Sequence, residues 1–276
     1  MKNILVGIDF SKGSLQVLDY AISLANIIKA DVIMLWIDKL LESDNNYVQA
    51  EQHDLKEETS LSIAEILEEY APRLISGKLH YKIRKGKMYS EIAIQAKLSK
   101  SSLIVTDTNG SIGVDEYWVG NNAFRVVKSA PCPVITIHPK SESRINFDHI
   151  LLPIDTTSYT MQKVPLIIEL AGLLGSEIHI LGLNATGLLT LQKKVDDNVR
   201  KTEQLLMEQK IIYTTEMIKN SNITKTILSY ADKIEAGLIA IMTEQEPSES
   251  SLMMGPQAQH IINMSEVPVL NIQPRK

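Results

Sequence analysis

The chain carries one pattern twice. NILVGID at 3–9 returns as HILLPID at 149–155, and APCPVITI at 130–137 returns as SEVPVLNI at 265–272. The opening runs stand 146 residues apart (149 against 3) and the closing runs 135 apart (265 against 130). The second copy is therefore the first with a short stretch trimmed from its interior. A period this long is a whole domain; solenoid and propeller repeats recur every 20 to 50 residues or so. The expected domains are 1–140 and 147–276, joined by a short polar linker at 139–146.

Within each copy, short β-branched runs alternate with longer stretches of helical apolar spacing. In the first, strands are expected at 4–8, 32–37, 79–83, 103–105 and 134–137, with helices over 14–28, 55–74, 89–98 and 123–128. In the second, strands are expected at 150–154, 177–183, 211–216, 238–242 and 269–272. Strands separated by helices build a parallel sheet with right-handed crossovers. The run VIMLWI at 32–37 is apolar throughout, as a strand covered on both faces must be. The acidic stretch 42–54 reads as a loop on the pocket side.

Composition narrows the class. A net charge of -5 without a basic stripe argues against a nucleic-acid surface. No apolar run reaches the ~18 residues of a membrane span. Asp9 and Lys12 interrupt the N-terminus too early for a signal-peptide core. Cys132 is the one cysteine, so no internal disulfide forms and a reducing cytoplasm is expected. Set between Pro131 and Pro133, Cys132 reads as a small core residue. The six histidines are scattered without metal-ligand spacing, so no metal site is expected.

Open α/β sheets collect ligands beyond the C-terminal ends of their strands, where strand order reverses. Asp9, Phe10 and Ser11 follow the first strand. Ile37 closes the second. Asp107, Gly110 and then Gly120, Asn121 and Asn122 follow the fourth. Two readings of Asp9 stay open at this level, ligand contact and simple capping of the next helix; the same holds for Asp155. There is no G-x4-G-K-[ST] and no G-x-G-x-x-G, and no nucleophile–base set stands out.

This ordered set, present twice, resembles the universal stress protein family over essentially the whole chain. The resemblance implies two doubly wound domains, each a five-stranded parallel sheet of order 3-2-1-4-5, paired through their fifth strands about a pseudo-twofold axis. Further homodimerisation is compatible with it. It also implies a G-x2-G-x9-G-[ST] loop for ATP or AMP with Mg2+. Asp9 and Ile37 would then face the nucleoside, and Gly110, Gly120 and Asn121 the ribose and phosphates. The first copy departs from that pattern, with Asp107 in place of the leading glycine and Asn121 in place of Ser/Thr. In the second copy only Gly255 survives, Pro256 follows it, and Glu244 and Glu246 enter the loop. At an effective dielectric of about 20 and roughly 6 Å, each carboxylate–phosphate pair costs about 3 kcal/mol, near two decades of affinity. The second site, marked by Asp155, Leu183 and Gly255, is therefore expected to hold no nucleotide triphosphate. Asp107 either repels phosphate in the same way or ligates its Mg2+.

The leading expectation is a cytoplasmic, non-enzymatic stress-response module whose first domain takes an adenine nucleotide. A nucleotide-independent interaction scaffold is the main alternative, and a weak hydrolase using Asp9 and Ser11 the last.

Overall fold

A computed structural model describes residues 2–38, 48–108, 121–138, 141, 145–185, 187–243 and 255–274, with the side chains of 48–58, 121 and 122 outside the description. The first lobe runs β1 (Asn3–Ile8), α1 (Lys12–Ile28), β2 (Asp31–Asp38), α2 (Val48–Tyr70), β3 (Leu79–Lys85), α3 (Met88–Leu98), β4 (Leu103–Asp107), α4 (Asn121–Ser129) and β5 (Val134–Ile137). The second runs β6 (His149–Ile154), α5 (Val164–Leu174), β7 (Glu177–Asn184), α6 (Leu189–Glu208), β8 (Tyr213–Lys219), α7 (Ile223–Lys233), β9 (Leu238–Met242), α8 (Pro256–Met264) and β10 (Val269–Ile272).

All ten strands form one sheet, ordered β3-β2-β1-β4-β5-β10-β9-β6-β7-β8. Each half has the expected 3-2-1-4-5 order with parallel pairing. The join is antiparallel: Val269 faces Thr136, Leu270 faces Ile135 and Asn271 faces Val134. Both joining strands are four residues long and wholly buried. Left alone, either would be an apolar sheet edge, so pairing removes two liabilities at once.

Strand alternation sorts side chains into two layers. Ile4, Val6 and Ile8 pack with α1 and α2 on one face, while Leu5 packs with α3 and α4 on the other. Each layer continues into the second lobe, where Tyr20 meets Phe147 edge-on at 5.4 Å. Among the described residues, no helix is long and apolar enough to cross a membrane.

Three sequence expectations shift. Helix α2 ends at Tyr70 rather than near 74 and gives way to a 3-10 turn, Ala71–Arg73. Pro72 lacks the amide hydrogen that a further turn needs and disfavours the helical region at the residue before it. At its other end α2 begins at Val48, so 48–54 belongs to a helix and not to a loop. Residues 39–47 lie outside the described residues. The third strand of the second lobe starts at Tyr213, not 211. There Lys210 takes a left-handed φ of 57° and the Ile211 amide still donates to Leu206 O, closing the preceding helix.

Asn271 holds the join chemically. It is buried, and its Nδ2 donates to Val134 O and Thr136 Oγ1 across the junction and to Val269 O on its own strand, all within 3.1 Å. Asn271→Ala removes all three bonds, leaving Val269 O only the longer side-chain bond from Thr136 Oγ1, and should lower unfolding free energy by about 1–3 kcal/mol. Urea denaturation followed by circular dichroism reads this; an unchanged midpoint would contradict it.

Candidate functional site

The C-terminal ends of β1, β2 and β4 bring several of the anticipated residues together. Asp9 ends the first crossover turn. Its Oδ1 accepts from the Ser11 amide and the Ser11 hydroxyl, while its own amide donates to Ser14 Oγ. Ser11 in turn caps α1, its Oγ accepting from the Ser14 amide. The cap of α1 is therefore Ser11 and not Asp9, which braces it from behind. One Asp9 oxygen is spent on the turn, and the Ser11 hydroxyl is committed twice.

Phe10 sits between them with φ 62°, a left-handed conformation that is a genuine outlier for a bulky residue. Its ring stacks on Trp36 with centroids 6.3 Å apart. The β1–β2 ladder ends at Ile8 and Trp36, so Ile37 and Asp38 extend β2 past the end of β1. Beside them opens a cleft of about 520 Å³ lined by Trp36, Asp38, Thr59, Ser60, Ile83, Arg84 and Lys85. Ligand pockets commonly measure ~300–1,000 Å³. Its cations are partly matched, with Lys85 Nζ 3.8 Å from Asp38 and Arg84 Nε bonded to Glu91. Of these lining residues, the sequence pointed only to Asp38, as the residue that follows the second strand, with Ile37 picked out beside it.

Asp107, at the end of β4, meets the start of α1. A methyl group on Gly13, in the first turn of α1, would come within 3.2 Å of Asp107 Oδ2. The carboxyl group thus rests at the positive end of α1, which should favour its charged form. Burial and the Asp9 carboxylate outweigh that and push its pKa up to about 7. Gly110 and Gly120 lie outside the described residues, and Asn121 and Asn122 open α4 with side chains outside the description.

The second lobe repeats the turn and then fills the site. Asp155 Oδ1 accepts from the Thr157 amide and hydroxyl, and the Asp155 amide donates to Thr160 Oγ1, matching Asp9, Ser11 and Ser14. Lys163 follows where the first lobe has the core residue Val17. Its ammonium is buried, donates to Thr160 Oγ1 at 3.2 Å and lies near Asp155. Loss of hydration lowers its pKa to about 8 against the pull of Asp155. The cleft that Asp155, Lys163 and Leu183 line, with Ile241 and Ala258, measures about 30 Å³. That is room for roughly one water. Gly255 caps α8 beside it, its amide donating to Thr243 O. Residues 244–254 lie outside the described residues. The signal for Lys163 was in the repeat itself, as a lysine standing opposite a buried valine.

Cys132 is half-buried and packs against the α3–α4 layer from outside the core, and burial pushes its thiol pKa up to about 12, which keeps the thiol protonated.

Comparison with known proteins agrees with the architecture. The family model described as "Universal stress protein family" matches residues 1–138 and again 146–273. A universal stress protein of Methanocaldococcus jannaschii is 29% identical over 150 residues, 51% of this chain and 85% of that protein. The crystal structure of a universal stress protein from Archaeoglobus fulgidus aligns with TM-score 0.76 at 19% identity, covering 98% of both chains. A putative universal stress protein from Pseudomonas aeruginosa aligns with TM-score 0.66 at 15% identity, covering 99% of this chain and 94% of that one.

The two buried ionisable groups make opposite pH predictions. Asp107 has a folded pKa above its unfolded value, so its contribution is full below pH 3.8 and is lost as pH rises through about 7. Asp107→Asn should therefore exceed wild type in stability at pH 8 by roughly 1–4 kcal/mol, with the gap closing towards pH 4. Lys163 has a folded pKa below its unfolded value, so stability is full above 10.5 and is lost as pH falls through about 8. Lys163→Met should gain roughly 1–3 kcal/mol at pH 7, and less at pH 9.5. Urea titrations at the paired pH values check both; a pH-independent difference would refute the assignment.

Proposed function

Since the chain belongs to the universal stress protein family, we propose that it is a stress-response module whose first lobe binds an adenine nucleotide and whose second lobe does not. The supporting observation is the second lobe's pocket, which Asp155, the buried Lys163 and Leu183 line and which measures only about 30 Å³, whereas the first lobe has Val17 in place of that lysine. The ligand would be ATP or AMP, taken with Mg2+. Asp9 and the end of β2 at Ile37 would face the nucleoside. Gly110, Gly120, Asn121 and Asn122 would lie along the phosphates, with Phe10 and Ser11 shaping the floor.

The fit is uneven, and Asp107 is the reason. Its carboxyl group occupies the positive end of α1, where a phosphate would otherwise be drawn. Neutral below about pH 7, it tolerates an anion nearby; charged above, it repels one unless Mg2+ lies between. Weak, pH-sensitive binding follows. Strong repulsion would leave a nucleotide-independent interaction scaffold instead.

Turnover is not part of the proposal. The Ser11 hydroxyl donates to Asp9 and accepts from the Ser14 amide, so it is held as a cap and not poised as a nucleophile. A cytoplasmic setting and a lack of nucleic-acid and membrane partners complete the reading, on the strength of one cysteine and a net charge of -5. The lobes form a pseudo-dimer within the chain.

Isothermal titration with Mg-ATP and Mg-AMP at pH 6 and pH 8 tests this. One site per chain is expected, lost in Gly120→Trp and kept in Lys163→Met. Asp107→Asn should tighten binding at pH 8 if the carboxylate repels phosphate and weaken it if the carboxylate holds Mg2+. No heat with wild type at either pH would replace the nucleotide reading with the scaffold.

A further inference from the structure

At the opposite end of the second lobe's sheet, strand pairing assembles a side-chain set that no reading along the chain reveals. His149 opens β6 and pairs directly with Glu177, which opens β7. His179 lies two residues along β7 and therefore on the same face. One ligand atom from each of the three lies within 4.8 Å of the others. His179 Nε2 and Glu177 Oε1 are 3.6 Å apart. Two ligands of a tetrahedral ion with bonds of about 2.1 Å stand roughly 3.4 Å apart. The Glu177–His179 pair is thus close to that spacing before any ion enters, with the His149 atom within 4.8 Å.

The outer atoms are arranged to aim the inner ones. His149 Nδ1 lies 2.7 Å from Ile234 O at the end of α7. A carbonyl only accepts, so Nδ1 carries the proton and Nε2 keeps its lone pair. His179 Nδ1 lies 2.8 Å from Thr214 Oγ1 on β8. His179 Nε2 is buried without a hydrogen-bond partner among the described residues. Thr214 Oγ1 can donate or accept, so an ion at this centre would take Nε2 with the proton on Nδ1, donated to Thr214 Oγ1. Imidazoles held by a carbonyl or hydroxyl through one nitrogen while the other faces a shared centre are the usual outer support of metal ligands.

The duplication supplies an internal comparison. The matching positions in the first lobe are Asn3, which pairs with Asp31, and Ile33. The same strands fold there without either histidine, so the fold alone does not call for them.

We propose that His149, Glu177 and His179 form a binding site for a divalent transition-metal ion of the zinc type, with solvent completing its coordination. Two imidazoles and one carboxylate suit zinc and its neighbours and do not suit Mg2+ or Ca2+, which prefer oxygen ligands. The ion would tie β6, β7 and the end of α7 together, away from the cleft proposed for nucleotide.

The test uses the full chain, free of any affinity tag and dialysed against chelator. Zn2+ is titrated in competition with a metallochromic indicator, and Co2+ is added separately to read coordination from its visible spectrum. Wild type should take up one equivalent that His149→Asn and His179→Ile, the first-lobe residues, each weaken at least about 100-fold. Thr214→Val, which touches no metal, should weaken it roughly 10-fold or more and leave the folded spectrum unchanged. The His260→Ala control should bind as wild type does. Zn2+ should raise the thermal midpoint of wild type and not of the ligand variants. Failure of wild type to bind Zn2+ at micromolar concentration, or equal binding by wild type and the Thr214 and His179 variants, would overturn the proposal.

Discussion

The antiparallel contact between β5 and β10 is the constraint on which the rest of the molecule depends. Two five-stranded sheets each end in a short, fully buried strand, and neither can face water. Joining them makes one ten-stranded sheet and lets each helical layer run across both lobes. Asn271 and Thr136 place a polar link inside that otherwise apolar seam. A shift of one residue in register would turn these strands' apolar side chains to the opposite layer, so the seam also fixes how the two clefts are disposed.

With the scaffold held twice over, its sites were free to diverge. The crossover turn after the first strand is the same in both lobes, down to the hydroxyl that accepts from the aspartate amide. What differs is the next layer out. Val17 in one lobe is Lys163 in the other, where a buried ammonium donates to Thr160 Oγ1 beside Asp155. The first lobe places Asp107 at the positive end of α1. At the far edge the divergence runs the other way, with Asn3 and Ile33 in one lobe and His149 and His179 in the other.

Much of this was legible in the sequence, because apolar periodicity is a local property and the repeat allowed each lobe to check the other. Strands β5, β9 and β10 lie where the residues place them. Strand β8 slipped because Ile211 is apolar yet closes a helix through the left-handed Lys210, a geometry that hydrophobicity does not encode. The site was only half visible. Asp9, Ser11 and Asp107 follow from topology, whereas the Trp36 cleft depends on α2 packing and Lys163 on which way one side chain turns. The histidine cluster was invisible for a different reason. Its members are 28 and 2 residues apart in the chain and meet only through pairing of β6 with β7.

The central proposal is an asymmetric pair, in which the first lobe takes an anionic ligand and the second, with Lys163 buried beside Asp155, does not. A crystal structure grown with Mg-ATP tests it most directly. Density bounded by Asp9, Ile37 and Asp107, with Lys163 still buried against Thr160 and Asp155, is the result this account predicts. Nucleotide seated beside Asp155, with Lys163 displaced to meet its phosphates, would contradict it.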